Sequence, residues 1–125
     1  IFGDGEQTRD FTFVTDTAKS ITEIGINDSK NDTYNLGSEN EITINALASL
    51  ILELTGSDSE IIHTEPRPGD VLRLYSDSSK AFNEFNLTHE IDFPTGLKSL
   101  IEWYKDLNTN LEELLKEEHI KNWEI

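Results

Sequence analysis

The sequence reads as an α/β fold, or as α+β if taken as an isolated piece, and three features carry that reading. Short runs of aromatic and β-branched residues alternate with segments of helical periodicity. Clusters of Gly, Pro, Asn and Asp separate them. The composition suits a packed chain, with 35% hydrophobic and 9% aromatic residues in a length of 125.

In chain order, Ile1-Phe2 reads as the end of a strand, stopped by the Gly3-Asp4-Gly5 turn. Phe11 to Val14 has strand composition, and Thr15 or Asp16 then caps a helix to about Ile24, ended by Gly25. A polar loop over Asn27 to Asp32 precedes a short strand at Thr33 to Leu36, closed by Gly37. The clearest helix spans Ile44 to Leu54: Leu47, Ala48, Ile51 and Leu54 share a face, Thr43 can cap its start, and Gly56 follows its end. Glu60 to Thr64 is a strand candidate, and Val71 to Tyr75 is extended. Asp77 caps a short helix to about Phe85. Asp92 to Gly96 turns into an amphipathic helix carrying Leu97, Leu100, Ile101 and Tyr104, and Asn110 with Glu113 opens a final one in a capping-box arrangement.

The formal net charge is −15, from 25 acidic and 10 basic residues, which opposes binding to nucleic acid or to anionic membranes. The absence of Cys excludes disulfides and thiolate metal sites. The longest apolar run, Ala46 to Leu52, is interrupted by Ser49 and too short to span a bilayer. No secretory signal is visible, and the Asn-x-Ser/Thr triplets at Asn27, Asn31 and Asn86 are expected by chance in an Asn-rich chain, so the expectation is a cytoplasmic protein. A chain with no Met that opens on Ile1-Phe2-Gly3 is expected to be a truncated form of a longer protein.

Candidate chemistry is concentrated in the arginines. There are three, Arg9 after the Gly turn, Arg67 in the Glu65-Pro66-Arg67-Pro68-Gly69-Asp70 loop, and Arg73 just beyond it. Guanidinium groups held in two loops suit bidentate recognition of phosphate or carboxylate. The plainer alternative pairs Arg9 with Asp10 or Glu6, and Arg67 with Glu65 or Asp70. His63, His89 and His119 lack metal-ligand spacing, so no metal site is expected. Ser78-Ser79 beside Lys80 fits the first turn of a helix better than a nucleophile, and Trp103 and Tyr104 fit core packing. Gly3-Asp4-Gly5 lacks the third Gly and the strand–turn–helix context of a dinucleotide fingerprint.

Four segments, in order, resemble the extended short-chain dehydrogenase/reductase family, specifically its NAD-dependent nucleotide-sugar epimerases and dehydratases. IFGDGEQTRDFTFVTD is similar to that family's GDGxxxRDFxxVxD segment, and YNLGSENEITINALASLILELTG to its YNLGxGxxxSIxELAxxI segment. EPRPGDVLRLYSDSSKA resembles xRPGDVxxxxADxSKA, and FPTGLKSLIEWYK resembles LxEGLxxTIxWY. The resemblance covers most of residues 1–107, with 108–125 expected to form a C-terminal helical extension.

That likeness implies the C-terminal, substrate-binding part of a Rossmann-type enzyme that holds an NDP-sugar, most often a UDP-sugar. It places Phe2 beside the base, Arg9 and Arg67 on the diphosphate, and Asp70 near the ribose hydroxyls or orienting Arg67. Asp77 and Lys80 match the DxSKA segment, with capping and packing as their expected jobs, and Asp10 and Asp16 are expected to steady the segment carrying Arg9. The implied parent enzyme, a homodimer, passes hydride from the sugar to NAD and returns it, to the opposite face in an epimerase or after loss of water in a dehydratase. Its catalytic Tyr-x-x-x-Lys pair and Gly-rich NAD loop have no counterpart here: Lys80 lies five positions after Tyr75, and Lys105 directly follows Tyr104. The helix after the DxSKA segment also lacks the family's Gly-Trp. No catalytic residue is therefore expected in this chain, and the isolated piece is expected to be inactive. The YNLG segment is expected at a sheet edge, through which the isolated chain could self-associate. The Arg67–Asp70 loop leans toward an epimerase. A dehydratase or decarboxylase, or a stand-alone nucleotide-sugar-binding module, are the alternatives.

Overall fold

The computed structural model describes residues 1–27, 31–107 and 115–116. Its three-stranded sheet is built on β1 (Thr8–Asp10), which lies between β2 (Glu41–Thr43) and β3 (Arg73–Leu74). β1 runs antiparallel to β2, with Arg9 opposite Ile42, and parallel to β3, with Arg9 opposite Leu74. The described residues also form four helices, α1 (Val14–Asn27), α2 (Ile44–Thr55), α3 (Ser79–Phe85) and α4 (Phe93–Asp106), of which α2 contacts β2. α1 packs on α3, and α2 packs on α4. The mixed α/β class expected from the sequence is thus observed.

The best-read helices have side chains that satisfy their ends. Thr43 Oγ1 accepts the Ala46 amide at 3.1 Å, and Gly56 closes α2 in a left-handed conformation (φ 65°). The Gly56 and Ser57 amides then donate to the Glu53 and Leu52 carbonyls. Asp92 caps α4 by accepting the Thr95 amide at 2.9 Å, and Pro94 sits where its missing amide costs nothing. These hydrogen bonds from Thr95 hold the Asp92 carboxyl below the usual Asp range.

Other elements differ from the sequence reading, each for a tertiary reason. Phe11 to Val14 is not a strand. Phe11 stacks on Phe93 with centroids 5.4 Å apart, Phe13 lies against Gly96, and the ladder is formed by the polar Thr8–Asp10 triplet. Asp16 does not cap α1. It lies buried within the helix, its Oδ2 accepting the Glu90 and Ile91 amides at 3.2 and 3.1 Å. α1 continues through Gly25 to Asn27, where open surface makes glycine tolerable. Thr33 to Leu36 joins no described strand, and Tyr34 packs edge-on against Phe85 at 5.0 Å. Of Glu60 to Thr64, only Thr64 pairs, in a parallel bridge with Phe2. Asp77 lies one residue before the α3 cap, accepting the Ser79 amide and hydroxyl, while the cap residue Ser78 turns its buried Oγ to the Gly37 amide at 2.8 Å. The expected helix from Asn110 lies outside the described residues, apart from a helical pair at 115–116.

Two glycines in helices have opposite surroundings. A Cβ at Gly25 meets nothing within 4 Å, whereas one at Gly96 would sit 2.9 Å from Phe13 Cδ2. Gly25→Ala should stabilise the chain by up to about 1 kcal/mol through helix propensity. Gly96→Ala should destabilise it by about 1–3 kcal/mol by overpacking. Urea denaturation of both variants checks this, and equal effects would contradict the packing described.

Across the sheet, Arg73 grips Glu41 with Nε and Nη2 at 2.6 to 2.9 Å, while Thr8 Oγ1 donates to the same carboxylate at 2.9 Å. Arg73, then Thr8, hold the Glu41 carboxyl below its ordinary range. A depressed carboxyl contributes stability above its unfolded pKa of about 4.3, and that contribution is lost as pH falls through the lower folded value. Arg73→Ala should therefore raise the Glu41 midpoint in a carbon-detected NMR titration; an unchanged midpoint would contradict the grip.

Candidate functional site

The first loop is shaped by two left-handed glycines, Gly3 and Gly5, both with φ of 76°. Gly5 is buried, and a Cβ there would lie 2.0 Å from Asn45 Oδ1, so any other residue would have to push the Asn45 side chain aside as well as adopt a left-handed backbone. Asn45 fastens the loop to the start of α2: its amide donates to the Gly5 carbonyl at 3.0 Å, and its Nδ2 donates to the Asp4 carbonyl and Glu6 Oε1. Gln7 Nε2 reaches back to the Phe2 carbonyl at 3.0 Å. Phe2 is thereby set at the head of a rigid turn that feeds β1.

The second loop is a tight turn. Pro68 and Gly69 occupy its two central positions, Gly69 has φ of 74°, and the Asp70 amide donates to the Arg67 carbonyl at 3.2 Å. Such a turn brings Arg67 and Asp70 together. The parallel bridge between Phe2 and Thr64, with the Gly3 amide donating to Thr64 O at 3.0 Å, lays this loop beside the first. His63 adds a ring hydrogen bond to the Gly3 carbonyl at 2.9 Å.

Between the two loops lies a cavity of about 520 Å³ lined by Phe2, Arg67 and Asp70. Three of the four candidate residues therefore meet at one hollow, although more than sixty positions separate Phe2 from Arg67. Arg9, the fourth, stands against it. Its Nη2 donates to Asp70 Oδ1 at 2.6 Å, and its Nη1 donates to the Val71 and Thr8 carbonyls at 2.9 and 2.7 Å. Its partner is thus Asp70, sixty-one positions away, and not the adjacent Asp10 or Glu6. Both side chains of the pair are partly shielded, with 19% and 29% exposure.

The supporting carboxylates divide the work. Asp10 accepts the Ser38, Glu39 and Ser76 amides, which ties β1 to two loops directly after Arg9. Asp16 acts one element further on, joining α1 to Glu90 and Ile91. Lys80 donates to Thr33 O at 2.9 Å and lies 4.4 Å from the Tyr34 ring centroid, a packing role. The cavity wall also includes Gln7, Glu65 and Leu72, which sequence reasoning did not single out. Gln7 and Leu72 fall at unspecified positions of the GDGxxxRDF and RPGDVxxxx segments, which gave neither a distinct signal, and Glu65 was weighed only as an ion-pair partner for Arg67.

A second hollow of about 450 Å³ lies between α2 and α4, lined mainly by Phe13, Ile51, Leu97 and Leu100. It lacks cationic side chains and offers a diphosphate no partner. The Gly3-Asp4-Gly5 turn leads into β1 and opens no helix, so the residues present do not fit a dinucleotide pyrophosphate. Among the described residues, no group of three or more His, Asp or Glu side chains is placed to hold a metal ion, and no helix is long and apolar enough to cross a membrane.

Comparison with known proteins gives this geometry a family. The model of the GDP-mannose 4,6 dehydratase family matches residues 1–100. A putative UDP-glucose 4-epimerase of Methanocaldococcus jannaschii is 40% identical over 108 residues, which are 86% of this chain and 34% of that protein. The crystal structure of UDP-glucose 4-epimerase with UDP-glucose from Thermotoga maritima superposes with a TM-score of 0.80 at 32% identity, covering 84% of this chain and 34% of the other. That of dTDP-glucose 4,6-dehydratase from Bacillus anthracis, in complex with NAD, gives 0.77 at 28% identity, covering 86% and 34%. The chain thus spans about a third of the length of these relatives. By its match over residues 1–100, the chain belongs to the GDP-mannose 4,6 dehydratase family, within the extended short-chain dehydrogenase/reductases that comprise NAD-dependent nucleotide-sugar epimerases and dehydratases.

Proposed function

We propose that this chain is the nucleotide-sugar-binding portion of an NAD-dependent nucleotide-sugar epimerase, with a UDP-sugar as its ligand. The observation that carries the proposal is the meeting of Phe2, Arg67 and Asp70 around one cavity, with Arg9 bound to Asp70 at its margin. Its volume of about 520 Å³ falls within the ~300–1,000 Å³ typical of small-molecule sites. Phe2 offers a flat apolar face and a backbone edge to a base. Arg67 offers a planar donor fork to the diphosphate. Asp70 offers acceptors to ribose hydroxyls, and Arg9 adds a second guanidinium once a phosphate competes for it.

No Tyr in the sequence is followed four positions later by Lys, and no Gly-rich NAD loop is present. On this proposal, the chain supplies remote binding energy that positions the sugar, while the base and NAD belong to another portion of a cytoplasmic, homodimeric parent. The chain alone carries out no turnover. Self-association of the chain through an exposed strand edge belongs to the same reading; the YNLG segment expected to form that edge joins no described strand, and exposed Leu74 on the outer strand β3 supports an edge there instead. A 4,6-dehydratase is the second reading, favoured by the description of the matching family.

Calorimetric titration with UDP tests the binding role. The unaltered chain should bind UDP, and Arg67→Ala should weaken it at least about tenfold, the effect of removing a charged hydrogen-bonding partner. Arg9→Ala should also weaken binding, because it removes one cation and frees Asp70 to repel phosphate. Affinity unchanged in both variants would contradict the assigned roles.

A further inference from the structure

We infer that capture of a nucleoside diphosphate at this cavity is gated by salt, and that binding tightens as ionic strength rises. This rests on reading the cavity as a nucleoside-diphosphate site. Phosphate ligands held by cationic surfaces weaken as salt screens the attraction. Here the balance of charge reverses the sign.

The cavity wall carries three carboxylates, Asp4, Glu65 and Asp70, against one guanidinium, Arg67. Arg9 is next in reach and is already bound to Asp70. Among the described residues, four further cations face the chain's own acids: Lys19 on Glu90, Arg73 on Glu41, Lys80 on Asp32 and Lys98 on Glu102. Over the whole sequence, 25 acidic residues against 10 basic ones leave a net charge of −15 for a phosphate ligand to meet.

Range decides which force salt removes. The screening length shrinks from about 30 Å at 0.01 M salt to about 10 Å at 0.1 M and about 3 Å at 1 M. Repulsion between the diphosphate and carboxylates spread over the whole chain acts across the longer distances and is screened away. A guanidinium in contact with phosphate oxygens acts at about 3 Å, within even the shortest screening length. Added salt thus removes more repulsion than attraction.

The test is calorimetric titration of the chain with UDP, and in parallel with uridine, from about 0.01 M to about 1 M KCl. UDP association should strengthen at least about tenfold across that range, while uridine, which carries no charge, should change less than about twofold. Glu65→Gln should strengthen UDP binding at low salt and leave it near the unaltered value at high salt, a dependence that a merely structural role would not produce. UDP affinity that falls or holds constant with salt would overturn the inference while leaving the nucleotide site standing. Uridine rising as steeply as UDP would also overturn it, by assigning the effect to general salting. Absence of UDP binding at every salt concentration would overturn both the inference and the nucleotide reading.

Discussion

The structure depends on three consecutive residues, Thr8, Arg9 and Asp10, which form the central strand and fasten it through side chains on both flanks. The backbone pairs with β2 on one edge and β3 on the other. Thr8 shares Glu41 with Arg73, Arg9 takes Asp70 and the Val71 carbonyl, and Asp10 collects amides from Ser38, Glu39 and Ser76. These contacts close long loops of chain, and each closure costs entropy that must be offset by the contacts made. Once β1 is seated, the two turns bearing Phe2 and Arg67 have little freedom to separate.

Polar fastening matters because apolar burial is thin. Among the described residues, Ala81 is the one fully buried hydrophobic side chain, alongside buried Asp16, Ser20 and Ser78. Each of those carboxylate or hydroxyl oxygens that joins two elements does so by accepting backbone amides, which offsets the cost of burying it. The large exposed side chains, such as Val14 at 70% and Leu72 at 81%, lie on faces that make no comparable contribution to the interior.

Much of this was legible from the chain. Thr43 and Gly56 bracket α2 because capping is local chemistry, decided by residues three or four positions apart. Asp92 and Pro94 announce α4 for the same reason. The Arg67-Pro68-Gly69-Asp70 turn follows from proline and glycine preferences, and the quoted segments singled out Phe2, Arg9, Arg67 and Asp70, three of which reach one cavity. What was not legible depends on distant partners. Thr8–Asp10 has no strand pattern and becomes a strand because β2 and β3 flank it. Asp16 resembles a helix cap, yet the Glu90 and Ile91 amides claim it. The Arg9–Asp70 pair spans sixty-one positions, and no spacing rule selects it over the adjacent acids.

The central claim is that Phe2, Arg67 and Asp70 form one nucleotide site organised by β1. Its most direct test is a backbone amide NMR map of the chain with and without UDP. The account predicts shift changes confined to residues 2–10 and 64–74, the two turns and the strands that follow them. Changes centred on the α2–α4 groove, with those two segments unmoved, would contradict it.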